Sequence, residues 1–91
     1  MYIILVYDIN TEQKSNVANR VFKICKKYLV HIQNSVFEGE LNESQFINLK
    51  NEIKKYLRKD LDSCIVFYSR NEKWLNKEFI TEPKDDTSCF L

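Results

Sequence analysis

The chain has 91 residues, a formal net charge of +1 at pH 7, and a composition that is 44% hydrophobic. A chain of this size is one domain with a modest core, because it buries only about 60–65% of the surface that it exposes when unfolded. The near-neutral charge excludes a global attraction to nucleic acid, so nucleic-acid binding would need a local basic patch. We expect a core over about residues 1–69 and a tail over about residues 70–91, which is more polar yet keeps several large apolar side chains.

The cysteine, histidine and glycine content and the first apolar run disfavour several kinds of site and of protein. The three cysteines lie far apart and the chain has one histidine, so a zinc site is not expected. Free thiols of this kind fit a reducing compartment, and we expect a cytoplasmic protein. The first apolar run lacks a basic leader, and no stretch is long enough to span a membrane. The single glycine leaves no glycine-rich phosphate loop.

The first half of the chain predicts a strand followed by a helix. Residues 2–9 begin with the apolar run Tyr2-Ile3-Ile4-Leu5-Val6-Tyr7, which is typical of a strand buried on both faces. After a polar loop, Ser15 is a candidate N-cap for a helix that runs to about Leu29. Apolar residues from Val17 to Leu29 recur at helical spacing and mark one buried stripe.

The second half predicts a hairpin, a second helix and a last strand. Residues 30–41 are long enough for two short strands with a break near Asn34 or Gly39, and the sequence leaves both positions open. Asn42 and Gln45 have the spacing of a capping box. The second helix is expected from about residue 43 to Arg58, and the last strand over residues 62–68.

This order of elements predicts an α+β, ferredoxin-like βαββαβ fold. Two helices would cover one face of the antiparallel sheet, which usually leaves the other face polar. Here the first and last strands are apolar on both faces. We therefore expect a symmetric homodimer that covers the second face, with an additional C-terminal strand of the tail exchanged between the protomers.

Asp8 is the first candidate for chemistry, because it stands where the first buried strand leaves the core. A carboxylate there costs free energy unless it is paired or binds a cation. It also fits a turn or helix cap, since turns favour Asp. One carboxylate rarely holds Mg²⁺ alone. Two Asp8 side chains that meet across a two-fold axis could share one ion, which would polarise a phosphodiester and activate water.

A basic side of the first helix and its entry loop is the second candidate. Its members are Lys14, Arg20, Lys23, Lys26 and Lys27. Such a row is commonly a solvated helix surface; doubled by a two-fold axis, it becomes a track for a nucleic-acid backbone. RNA binding on an RRM-type sheet lacks its glycine–aromatic motif here. A serine–histidine–aspartate site is poorly supported, because His31 stands alone in an extended run.

Three segments resemble the second of the two universal CRISPR-associated proteins, a small protein of spacer acquisition in CRISPR antiviral defence. They are Tyr7-Asp8-Ile9, Asn19-Arg20-Val21 and, above all, Gln33-Asn34-Ser35-Val36-Phe37-Glu38-Gly39. The resemblance covers about residues 1–68, and in the tail it is limited to length and an apolar stretch. It implies a ferredoxin-like homodimer that bridges two dimers of the CRISPR integrase, with duplex DNA along its basic surface.

The resemblance also implies roles for single residues. Some members are described as Mg²⁺-dependent nucleases of RNA or DNA, with the strand-one aspartate, here Asp8, as metal ligand and catalytic residue. The nucleic-acid contacts expected are Lys14, Arg20, Lys23, Lys27 and His31, where His31 replaces a residue that is basic in many members. Tyr7, Ser35 and Phe37 match positions that support the aspartate. The resemblance thus leaves two functions, an adaptor that spans DNA and a metal-dependent endonuclease.

Overall fold

A computed structural model of the chain describes residues 1–11 and 16–83. Its elements in chain order are β1 (Tyr2–Asp8), α1 (Val17–Tyr28), β2 (Val30–Gln33), β3 (Val36–Glu40), α2 (Glu43–Lys54), β4 (Ser63–Ser69) and a 3-10 turn (Glu72–Trp74). The strands form one antiparallel sheet in the order β2-β3-β1-β4. This is the predicted ferredoxin-like α+β arrangement, with β1 in the interior of the sheet and β4 at one edge.

The hairpin between β2 and β3 resolves one alternative that the sequence left open. The break falls at Asn34, whose φ of 40° is the left-handed conformation that asparagine tolerates well. Gly39 instead lies inside β3, paired with Ile3 of β1. A Cβ atom placed on Gly39 would lie 3.0 Å from Cδ2 of Leu29. The only glycine of the chain therefore permits a close approach between β3 and the end of α1.

Both helices form where they were predicted, with different ends. Helix α1 begins at Val17 after Asn16, whose side chain makes no capping bond; the predicted cap, Ser15, lies outside the described residues. Helix α2 begins with the predicted capping box, in which Gln45 N donates to Asn42 Oδ1 at 2.8 Å and Asn42 N donates to Gln45 Oε1 at 2.9 Å. The prediction that α2 reaches Arg58 is wrong.

The early end of α2 is visible in its backbone hydrogen bonds. Lys55 N donates to Glu52 O at 3.3 Å and Tyr56 N donates to Ile53 O at 3.0 Å, so the ladder tightens from four-residue to three-residue spacing. The chain then turns through residues 55–62 before β4 begins.

The core lies between the helices and one face of the sheet, which we call the inner face. Ile3, Leu5 and Phe37 from the sheet pack against Val21 and Leu49 from the helices, and all five are at most 1% exposed. Cys25 is buried among them as a free thiol. Burial raises the pKa of Cys25 to about 12, so this cysteine is a core residue and not a nucleophile.

The opposite face of the sheet, here called the outer face, is apolar along β1 and β4, as predicted. Ile4 and Val6 of β1 pair with Phe67 and Ile65 of β4, and paired residues lie on the same face. Ile65 and Phe67 are each 54% exposed. Large apolar side chains grouped in this way on one surface usually mark a contact with another molecule.

Part of the tail folds back onto this outer face. Lys77 Nζ lies 2.5 Å from the Glu38 carboxylate in the middle of β3, and Tyr2 OH donates to the same carboxylate. Residues 70–83 form the 3-10 turn but no strand, and residues 84–91 lie outside the described part of the chain. The additional exchanged strand therefore stays a prediction. Trp74 and Ile80 are 70% and 95% exposed, so this segment still presents apolar surface.

Neither α1 nor α2, the two α-helices among residues 1–11 and 16–83, is long and apolar enough to cross a membrane.

Candidate functional site

Asp8 is the last residue of β1 and lies exposed at the border of the outer face. Side chains alternate along a strand, so Asp8 shares its face with Ile4 and Val6. Its cross-strand partner is Ser63, the first residue of β4. The carboxylate thus stands beside the apolar surface that we expect a second protomer to cover.

Three predicted supporting residues are brought together directly behind Asp8. Tyr7 N donates to Ser35 O at 3.2 Å, which joins the end of β1 to the β2–β3 turn. The rings of Tyr7 and Phe37 stack with centroids 6.0 Å apart, and both residues are buried. Tyr7 and Phe37 therefore act from the inner face: they fix the backbone at Asp8 and do not reach a ligand.

The protomer does not hold a complete metal site in the part that the structure describes. Among those residues, no three His, Cys, Asp or Glu side chains are grouped to hold a metal ion. Mg²⁺ prefers oxygen ligands and is usually bound by one or two carboxylates with waters or phosphates. Asp8 suits such an ion chemically, as one of its oxygen ligands.

A buried ionic network next to Asp8 was not predicted from the sequence. The Asp62 side chain, which is 0% exposed, accepts hydrogen bonds from Arg58 Nε at 2.9 Å and Arg58 Nη2 at 3.0 Å. It also accepts from the backbone N of Arg58 at 2.8 Å and of Asn10 at 3.0 Å. Arg58 Nη2 donates in turn to Asn10 O at 2.8 Å. The network ties the loop after Asp8 to the turn that precedes β4.

Arg58 and Asp62 are four residues apart, and this spacing alone could have suggested an ion pair. The apolar pattern instead placed Asp62 at the start of a strand. The hydrogen bond from Asn10 N to Asp62 spans 52 positions, and no local pattern in the sequence indicates it. The hydrogen bonds from Arg58, foremost those of its side chain, hold the pKa of Asp62 at about 2, below its ordinary value of 3.8. A carboxylate with a lowered pKa stabilises the fold above pH 4 and loses that contribution as the pH falls towards 2.

We therefore expect Asp62→Asn to lower the free energy of unfolding by about 2 kcal/mol at pH 7, since it weakens a buried charge-assisted network. The free energies of unfolding of the variant and of the unsubstituted protein should become more similar as the pH falls from about 4 to 2, because the native carboxylate becomes protonated. Urea unfolding over a pH series measures both effects. Asp60→Asn, an exposed change in the same turn, is the matched control. A difference that stays constant with pH would contradict the role of the Asp62 charge.

The structure does not bring all the predicted nucleic-acid contacts together. Arg20 and Lys23 are exposed on one side of α1, and Lys27 continues that side but forms an ion pair of 2.5 Å with Glu52 of α2. His31 does not join them: its ring contacts Phe22 and Phe37, with centroids 5.0 and 4.9 Å away, and its Nε2 lies 2.7 Å from Asn34 O. Lys14 lies outside the described residues. The basic side thus rests on Arg20 and Lys23, with Lys27 partly neutralised.

Comparisons with known proteins agree on one family. A family model described as "CRISPR associated protein Cas2" matches residues 1–77, which include every described strand and helix. A protein of Fusobacterium nucleatum named "CRISPR-associated endoribonuclease Cas2" is 53% identical over 100% of this chain and 87% of its own length. A protein of Methanosarcina acetivorans with the same name is 38% identical over the full length of both chains.

A solved structure agrees with the sequence relatives. It is described as a crystal structure of Cas2, and it superimposes with a TM-score of 0.79 at 36% sequence identity over 94% of this chain and 92% of the other.

Proposed function

Because the chain belongs to the family of the CRISPR-associated protein Cas2, we propose that it acts in spacer acquisition in the cytoplasm. In this proposal a homodimer spans duplex DNA between two dimers of the CRISPR integrase. The observation that carries the proposal is the apolar part of the outer face, which is bordered by Asp8 and includes the half-exposed side chains of Ile65 and Phe67. A face of this kind favours a role in assembly over a role as an independent monomeric enzyme.

The outer face suits a second copy of the chain. A two-fold contact uses the same patch on both protomers, so each apolar side chain is used twice. A contact of about 800 Å² per partner is ordinary for a stable dimer. The position of Asp8 at the border of the patch means that a two-fold contact near this end of β1 would also bring two carboxylates together.

The basic side of α1 suits a nucleic-acid backbone. Arg20 and Lys23 are exposed and form no ion pair with another described residue, so their charges are available to phosphates. Contacts of this type position a protein on a duplex without reading its sequence. A dimer would carry the same row twice and could follow a longer stretch of DNA, which is what an adaptor between two integrase dimers requires.

Neutralising this row should change the salt dependence of DNA binding. In Arg20→Gln/Lys23→Gln, the slope of log affinity against log salt should become less steep by about 0.9 for each phosphate that the protein no longer neutralises. Affinity should fall equally for all duplex sequences. Titration of a labelled duplex at several salt concentrations measures the slope. Lys50→Gln/Lys73→Gln removes two exposed charges elsewhere and should leave the slope nearly unchanged. Equal slopes for both variants would mean that this side of α1 is only solvated surface.

The adaptor proposal is tested by reconstitution. Purified integrase, a protospacer duplex and this chain should form a complex whose mass by light scattering corresponds to one dimer of this chain between two integrase dimers. Integration should stop when the chain is omitted. Full integration without the chain, or a complex that contains no dimer of it, would contradict the proposal.

A second function is a Mg²⁺-dependent endonuclease that cleaves RNA or DNA. It is favoured by the names of the relatives and by Asp8, an exposed carboxylate at the predicted dimer border. Asp8 of each protomer would hold the ion, and bound Mg²⁺ would polarise a phosphodiester and activate water. Tyr7 and Ser35 would hold the end of β1 in place, and the Asp62–Arg58 network would fix the loop that follows. A dimer in which the two Asp8 side chains meet would supply two carboxylates to one ion, so activity should depend on the dimer.

A further inference from the structure

A pocket lies on the helix layer, between α1 and the end of α2, away from the outer face that carries Asp8. Its volume is about 200 Å³, and its lining residues are Arg20, Lys23 and Ile24 of α1 with Glu52, Lys55 and Tyr56 of α2 and its C-terminal turn. Pockets for drug-sized ligands run from about 300 to 1,000 Å³, so this one suits a single small group.

The charges around the pocket leave a positive excess. Three of its lining residues are cations, and none of Arg20, Lys23 and Lys55 forms an ion pair with another described residue. The only acid of the lining, Glu52, is already bound: Lys27 Nζ lies 2.5 Å from its carboxylate, and Tyr28 OH donates to the same group. Lys55 also attracts the Glu52 carboxylate electrostatically. Arg20 and Lys23 have no ion-pair partner within residues 1–11 and 16–83, and an anion in the pocket would supply one.

The pocket also has features that favour an anion over water alone. The Arg20 guanidinium lies over the Tyr56 ring, 5.3 Å from its centroid. Stacking of this kind limits the freedom of the side chain and leaves the N–H groups at the guanidinium edge able to donate in pairs. The carbonyl oxygens of Glu52 and Ile53 at the end of α2 accept hydrogen bonds from Lys55 N and Tyr56 N. These oxygens already have partners, so they do not need the cations of the pocket as donors.

From these contacts we propose that the pocket binds a phosphate monoester, with Arg20 as a forked donor and Lys23 and Lys55 as point charges. A monoester carries a charge near −2 at pH 7 and three free oxygens, whereas an internal phosphodiester carries one charge and two. Three cations that line one small concave site therefore favour the monoester. Its two sources are the terminal phosphate of a nucleic-acid strand and the phosphate of a free mononucleotide.

The test compares a short single-stranded oligonucleotide with a 5′-phosphate, the same oligonucleotide with a 5′-hydroxyl, and AMP. Amide signals of the ¹⁵N-labelled protein report binding, and those of residues 20, 23, 55 and 56 should shift most. We expect the 5′-phosphate to bind at least about tenfold more tightly than the 5′-hydroxyl, a difference that one strong charge-assisted contact can supply. Arg20→Gln/Lys23→Gln/Lys55→Gln should abolish the preference. Lys50→Gln/Lys59→Gln/Lys73→Gln removes the same charge from exposed positions outside the pocket and should keep the preference.

The arms of the experiment also separate the two sources. Competition by AMP at the same site assigns the pocket to free nucleotides, and a preference for the 5′-phosphate without such competition assigns it to strand ends. Equal affinity for the 5′-phosphate and the 5′-hydroxyl would overturn the proposal, as would a preference that survives Arg20→Gln/Lys23→Gln/Lys55→Gln. Neither the integrase nor the dimer enters this measurement, so its failure would leave the adaptor proposal standing.

Discussion

Asp8→Asn is expected to abolish Mg²⁺-dependent cleavage of nucleic acid while the fold is retained. The substitution keeps the size of the side chain but would remove two charges from the proposed homodimer, and neutral amides do not hold Mg²⁺ against water. Asp8 is exposed, so its substitution disturbs no core packing. Without the metal, the variant could even gain stability, because two like charges near one axis repel each other. Cleavage with and without Mg²⁺, together with thermal unfolding, measures both effects.

The same variant separates the two proposed functions. If the chain acts mainly as an adaptor, reconstituted spacer integration should persist in Asp8→Asn at close to its original rate. Asp60→Asn is the control for the removal of one exposed carboxylate outside the site. Unfolding of Asp8→Asn would show that Asp8 is a structural cap. Loss of integration in a complex that still assembles would favour the enzyme over the adaptor.

Phe67→Asp is expected to dissociate the dimer. Phe67 is 54% exposed on the outer face and pairs with Ile4, so completing its burial would contribute about 1–2 kcal/mol per protomer. In a symmetric contact both copies of Phe67 are buried, so this contribution is lost twice. The carboxylate introduced by Phe67→Asp would also have to be buried without a partner. The dissociation constant should therefore rise by at least about 100-fold. Sedimentation at micromolar concentration measures the change, and integration should fall with it.

Ile47→Asp is the matched control for this prediction. Ile47 is 46% exposed, similar to Phe67, but it lies on α2 in the helix layer. Its substitution should leave the dimer intact. A dimer that survives Phe67→Asp, or an unsubstituted chain that is monomeric at the same concentration, would count against the outer face as the interface.

The elements that could be predicted from the sequence are those with a local signal. The capping box that opens α2 needs only Asn42 and Gln45, three residues apart, and the apolar run that forms β1 needs only its own side chains. The apolar character of both sheet faces was also visible, because alternation places successive residues on opposite faces. These patterns were enough for the fold and for the place of Asp8 at a strand end.

Features that depend on distant contacts could not be predicted in this way. Asn34 and Gly39 are equally good positions for a break, and the pairing of Gly39 with Ile3 decided between them. The end of α2 is set by a turn that carries Arg58 to Asp62 and Asn10. His31 is basic by type, but it packs against Phe22 and Phe37, and only the folded chain shows this.

The contact between Gly39 and Leu29 has a consequence for how this protein can change in evolution. Leu29 is 5% exposed and its Cδ2 would lie 3.0 Å from a Cβ at position 39. Gly39→Ala should therefore be destabilising alone and much less so beside Leu29→Val, which shortens the opposing side chain. The two positions form an epistatic pair. Among related chains, a residue larger than glycine at position 39 should occur with a smaller residue at position 29.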